Sequence, residues 1–154
     1  MFASWTWSLV LIVLTTAVHS FDIVVLSLIG ARFHAYLKGQ LLHFRQAVII
    51  LTMLIAAIGL SLTVLHGFEA ALWALAYLWL GASDTLVQAL LYSVDSMTTR
   101  GASGLMLHQH WQFMEAVAGM LMFGISTAYV FQVLLLYWPD IQAVWERDEI
   151  GADI

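Results

Sequence analysis

The residues best placed to do chemistry form one run: Ser93, Val94, Asp95, Ser96, Met97, Thr98, Thr99, Arg100, Gly101, Ala102, Ser103 and Gly104. Its hydroxyls and backbone carbonyls are oxygen ligands for a cation. Its glycines admit backbone conformations closed to other residues. The run lies between two long apolar segments, so it is either an ordinary outside loop or the lining of a pore. Non-helical backbone at membrane depth survives only where protein buries it or it lines a watery cavity. Two smaller groups carry polar chemistry. His19 and Asp22 are spaced to share a helical face. His108 and His110 share a metal only with further ligands such as His66 or Glu69; an exposed loop is the simpler reading, and no metal site is expected. No nucleophile–base constellation, phosphate-binding loop or dinucleotide fingerprint is present. His19 and Asp22 lack a visible third catalytic partner, so no enzyme is expected.

The chain that carries these residues is 62% hydrophobic and only 10% charged, where a soluble domain carries about 25% charge. It is therefore read as an integral membrane protein. Its 154 residues suit one compact membrane domain. The absence of cysteine excludes disulfides and thiolate metal sites. A net charge of -5 with no basic patch leaves no footprint for nucleic acid. No Lys or Arg precedes Arg32, so the basic start of a cleaved signal peptide is missing and the first apolar segment is expected to be retained.

Residues 4–30 are long enough to span, since about 20 residues cross the hydrocarbon, and Trp5 and Trp7 suit an interfacial belt. Within this span, His19 and Asp22 either face a partner helix as an intramembrane polar pair, or Asp22 snorkels near the helix end with His19 merely hydrogen-bonded. The second reading is favoured because the helix has slack to slide. Arg32, Lys38 and Arg45 gather in the loop expected at residues 31–46, which places that loop in the cytoplasm and the N-terminus outside. Residues 47–65 form a second span, ended by His66-Gly67. Residues 68–82 reach about 22 Å as a helix, short of a crossing, and read as an interfacial helix or as a tilted extension of the second span. Ser83-Asp84-Thr85 is a helix start signal for a short helix to Met97. Residues 112–138 form a full span containing Gly119 and Gly124, stopped by Pro139. The remaining residues form a cytoplasmic tail.

In this order the residues resemble a known family. Ser93-Val94-Asp95-Ser96-Met97-Thr98-Thr99 is similar to the S-V-E-T-x-T-T segment that precedes the V-G-Y-G-D filter of potassium channels. Gly119, Gly124 and Ser126-Thr127-Ala128 resemble the inner span of small bacterial channels with a G-x-S-T-A run, and Glu69, Trp73 and Tyr77 resemble the pattern ahead of their pore helix. The resemblance covers residues 47–137. It implies an all-α membrane protein with three transmembrane helices per chain, a re-entrant pore helix and filter loop, and a potassium-channel-like pore built by a homotetramer. Residues 1–46 would be an additional N-terminal span and basic loop, 47–138 the pore domain and 139–154 a short acidic cytoplasmic tail. Thr98, Thr99, Arg100, Gly101, Ala102, Ser103 and Gly104 would be the selectivity filter, Asp95 and Glu115 its support, and Gly119 and Gly124 an inner-helix hinge. The implied partners are further copies of the chain and the bilayer of a bacterial inner membrane, without nucleic acid. The implied cargo is a monovalent ion, potassium or sodium, with no cofactor.

The filter itself departs from the family. Of T-V-G-Y-G-D only Thr99 and Gly101 are kept; Ser103 stands where the second Gly belongs, Gly104 comes one position late, and Ala102 replaces the bracing Tyr. Arg100 replaces a Val whose side chain, in the family, points back towards the pore helix. A buried guanidinium requires a partner, and Asp95 and Glu115 are the candidates. At about 5 Å and an effective dielectric near 20, an Arg100–Asp95 pair gains roughly 3 kcal/mol, which offsets desolvation without exceeding it. Paired arginines leave the ring of carbonyls and hydroxyls to favour a cation. Unpaired arginines on the axis favour anion permeation or closure. The expected function is monovalent cation permeation, with a non-conducting channel-derived membrane subunit and anion permeation through Arg100 as alternatives. No ladder of arginines suited to a voltage sensor is present.

Overall fold

The computed structural model describes residues 2–38, 40, 43–98 and 109–152. Its elements are four helices: α1 (Phe2–Lys38), α2 (Phe44–Trp79), α3 (Leu86–Met97) and α4 (Gln109–Ala152). Three are long and apolar enough to cross a membrane, over Thr6–Lys38, Phe44–Trp79 and Trp111–Ile150. The all-helical membrane class follows directly. Each span exceeds the roughly 20 residues a bilayer core needs, so it tilts or continues past the hydrocarbon.

Several element ends differ from the sequence expectation, each for a local reason. The loop expected at residues 31–46 is shorter, because α1 continues through Arg32 to Lys38. The second span starts at Phe44 rather than Ala47. Gln46 Oε1 accepts from the His43 N–H at 3.1 Å, the backward half of a capping box, and Asp148 Oδ2 accepts the Phe44 N–H at 2.8 Å. That carboxylate satisfies one of the donors a helix start leaves open.

His66-Gly67 does not end the second span: α2 runs through both residues, so residues 68–79 are its extension and not a separate interfacial helix. A lone glycine inside a helix costs only about 1 kcal/mol relative to Ala. α2 ends instead where Gly81 turns left-handed, with φ 68°. There the Ala82 N–H bonds to Tyr77 O at 2.9 Å and the Gly81 N–H to Leu78 O at 3.0 Å, a Schellman closure. Pro139 does not stop the last span either; it lies inside α4. Proline removes one backbone donor and crowds the preceding turn, and contacts to neighbouring helices on both sides of it keep the helix in register. The expected acidic tail is therefore a continuation of α4 as far as Ala152.

The chain forms two compact units, each drawing on parts of the long helices. One comprises Met1–Phe21 and Thr63–Ile125, the other Asp22–Leu62 and Ser126–Ile154. In the first, a core of Ala70, Trp73, Ala74, Tyr77, Ala89, Tyr92, Met97, Trp111, Ala118 and Met122 joins α2, α3 and α4, with Leu11 and Ile12 of α1 against it. The buried positions recur one turn apart, as 70, 73, 74 and 77 on α2 and 89, 92, 93, 96 and 97 on α3, which is the stripe a helix presents to its neighbours. Edge-to-face rings knit the stripes together: Tyr77 to Tyr92 at 5.4 Å, Tyr77 to Trp111 at 6.2 Å and Trp73 to Trp111 at 6.4 Å.

In the second unit Tyr137 OH donates to Gly30 O at 3.1 Å and its ring meets His34 edge-on. His34 Nε2 bonds Asp140, which Lys38 approaches at 4.0 Å. These contacts flank Pro139, and Asp148 repeats the device further along at the start of α2.

α3 is capped by Thr85, whose hydroxyl accepts the Gln88 N–H at 3.3 Å. Thr85→Ala is expected to remove about 1 kcal/mol of stability, read as a lower thermal unfolding midpoint of the detergent-solubilised protein, while Thr85→Ser stays near wild type. Equal midpoints for Ala and wild type would show that the cap is dispensable.

Candidate functional site

The short helix α3 ends at Met97, and its C-cap Thr98 opens the polar run, so whatever fixes that end sets where the run begins. Its twelve residues reach about 18 Å at 1.5 Å each, too short to cross a bilayer. The Thr98 N–H and hydroxyl both donate to Val94 O, at 3.0 and 2.8 Å.

The chemical anchor of α3 is Glu115, near the start of α4 and fully buried. One carboxylate oxygen accepts from Tyr77 OH on α2, the other from Ser93 Oγ on α3. Ser93 Oγ also lies 2.8 Å from Ala70 O. A single carboxylate thus ties three helices in an apolar interior, where a hydrogen bond gains strength and an unmet polar group is costly. One turn beyond Glu115, α4 brings Gly119 against the end of α3. A Cβ there would fall 2.9 Å from Met97 Cα and 3.0 Å from its carbonyl carbon. Only glycine permits this approach, which is the use of small residues at helix crossings. At Gly124 an added Cβ would meet nothing within 4 Å, so no such contact forms there. Trp73 Nε1 is buried and finds no acceptor among the described residues.

Of the residues singled out from sequence, Thr98, Asp95, Glu115, Gly119 and Gly124 are described. Asp95 is half-buried on the last turn of α3. Glu115 is engaged by Tyr77 and Ser93. Thr99, Arg100, Gly101, Ala102, Ser103, Gly104 and His108 lie outside the described residues, as does the side chain of His110, so the Arg100–Asp95 geometry is not defined.

The favoured reading, with Asp22 near the helix end and His19 merely hydrogen-bonded, needs correction at Asp22. Asp22 lies in mid-helix, far from the end of α1, and its Oδ2 is buried without a hydrogen-bond partner among the described residues. His19 is fully buried and its Nδ1 meets Glu69 Oε1 of α2 at 2.9 Å. The other oxygen of Glu69 meets His66 Nδ1 at 3.0 Å. Sequence inspection names all three residues but does not join them. The one available signal is the i, i+3 spacing of His66 and Glu69; His19 is brought in by tertiary packing.

No family model, no curated protein and no solved structure matches the chain.

Two outcomes follow for this site. Gly119→Ala must push apart two backbones and is expected to cost about 1–3 kcal/mol, whereas Gly124→Ala is neutral; thermal unfolding in detergent reads both, and equal behaviour of the two would refute the close approach. Glu115→Leu strands the Tyr77 hydroxyl in the core and is expected to destabilise by about 1–3 kcal/mol. Adding Tyr77→Phe to Glu115→Leu should recover part of that loss; a double variant no more stable than the single one would show that the hydroxyl is not the stranded group.

Proposed function

We propose that the chain is a subunit of a pore-loop ion channel of potassium-channel type, assembling as a homotetramer and passing monovalent cations, potassium or sodium. The observation that carries this reading is α3: a capped helix buried along one face and too short to span, set between two spanning helices and followed at once by a polar, glycine-containing run. Loops at membrane depth need protein around them. The Glu115 hub and the Gly119 approach supply a rigid backing at the point where the run starts. Leu86, Val87, Leu91 and Val94 on α3 are exposed in the single chain and would be covered by neighbouring subunits.

On this reading residues 47–138 are the pore domain and Thr98 to Gly104 the filter, with the N-terminus outside and the helix ends carrying Lys38 and Arg45 in the cytoplasm, in a bacterial inner membrane. On the same reading the protein is not an enzyme and uses no cofactor. The residues at the filter favour a second reading. Arg100, Ala102 and Ser103 replace the side chains that order a multi-site potassium filter, which suits a channel-derived subunit that does not conduct.

Purified protein reconstituted in liposomes distinguishes the readings. Cation flux is expected, with a reversal potential in asymmetric salt that follows the cation gradient, and cross-linking should yield a four-chain species. Flux that follows chloride and disappears in Arg100→Val would establish anion permeation in its place. No flux under any voltage, pH or ion would establish the non-conducting subunit.

A further inference from the structure

We propose that His19, His66 and Glu69 form a binding site for one divalent transition-metal ion, of the Zn2+ class, which staples α1 to α2. The proposal is independent of ion conduction and concerns residues outside the filter.

Three ligand atoms from two helices converge: one ring nitrogen each of His19 and His66 and a carboxylate oxygen of Glu69 all lie within 4.8 Å of one another. Their types are those Zn2+ prefers, and two histidines with one carboxylate leave a fourth tetrahedral position open. At Zn–N and Zn–O distances near 2.0–2.2 Å, tetrahedral ligand atoms stand about 3.4 Å apart. The contacts of 2.9 and 3.0 Å run from one Glu69 oxygen to His19 and from the other to His66, so the carboxylate turns to offer a single oxygen to the ion.

The spacing is built into the helices. His66 and Glu69 are one turn apart on α2 and so present neighbouring ligands on one face, and α1 lays His19 across them. The rings of His19 and His66 lie 5.2 Å apart and tilted by 30°, and His66 also packs against Phe123, with ring centroids 4.2 Å apart. A ligand set gains from rings already oriented by their surroundings.

Burial adds the energetic argument. His19 and Glu69 have fully buried side chains and His66 is 13% exposed. A carboxylate away from water requires compensating positive charge, and among the described residues its hydrogen-bond partners are the two imidazoles. A divalent cation meets that requirement and exchanges two hydrogen bonds for three coordinate bonds.

The test uses the full chain in detergent, stripped with a chelator and then titrated with Zn2+ and, in parallel, Co2+. One Zn2+ per chain is expected by elemental analysis after desalting, with a visible Co2+ absorption of tetrahedral type that Zn2+ displaces and a rise in the unfolding midpoint on Zn2+ addition. His66→Gln and Glu69→Gln should each weaken Zn2+ binding by more than about tenfold, while His34→Gln, at a histidine that lies elsewhere, binds as wild type. If the ligand variants do not fold, the Co2+ spectrum of the wild type still decides. No Zn2+ retained and no Co2+ absorption on the folded wild type would overturn the site and leave the cluster as a proton-sharing clamp. Binding lost in His108→Ala or His110→Ala but kept in Glu69→Gln would overturn it in favour of the loop histidines.

Discussion

The carboxylate of Glu115 sits in an interior that offers it no water, and the first compact unit is arranged around meeting its needs. Tyr77 and Ser93 each donate to it, from two different helices. Removing either helix would leave a buried acceptor unmet, and an unmet buried group costs more than a formed hydrogen bond contributes. This asymmetry gives α3 a defined position. Apolar packing of Ala89, Tyr92 and Met97 alone would hold the helix to the same surface, but it would tolerate sliding or rotation. A hydrogen bond at Ser93 does not. The Gly119 contact then fixes the separation at the far end of α3, where the polar run begins.

The same constraint recurs at several polar side chains of the spanning helices. His19, Glu69 and His66 satisfy one another across α1 and α2. Asp140 takes His34, and Asp148 takes the first backbone donor of α2. The polar residues of the long helices thus act as cross-helix ties in an apolar chain. Those around Asp140 and Asp148 explain how α4 passes Pro139 without ending, because the residues beyond the proline are held by partners on α1 and α2.

Much of the site is legible in residue types. Thr85 as a helix start, a short helix to Met97 and the importance of Ser93, Glu115 and Gly119 all follow from local chemistry or from the ordering of motifs. The pairing of these residues is not legible there. Residue order offers Glu115 as a candidate filter support and a candidate partner of Arg100, which lies outside the described residues; among the described residues its hydrogen bonds come from Tyr77 and Ser93. Gly119 and Gly124 look equivalent in sequence, yet of the two only Gly119 lies against another backbone. Nothing on either side of a glycine distinguishes them, since the difference lies in what the neighbouring helix brings up to each.

What the sequence determined by itself is the class of protein, the three apolar spans and the start of α3, because hydrophobic length and capping are properties of contiguous residues. Tertiary structure decided where the long helices end and which polar groups meet. His66-Gly67 and Pro139 are local stop signals that neighbouring helices overrode, while Gly81 stopped α2 through a left-handed turn that its sequence position did not advertise. His19 and Glu69 stand fifty residues apart and meet only when α1 lies on α2. A buried polar atom takes its partner from whichever helix the fold brings within reach, and that choice is not written in the residues on either side of it.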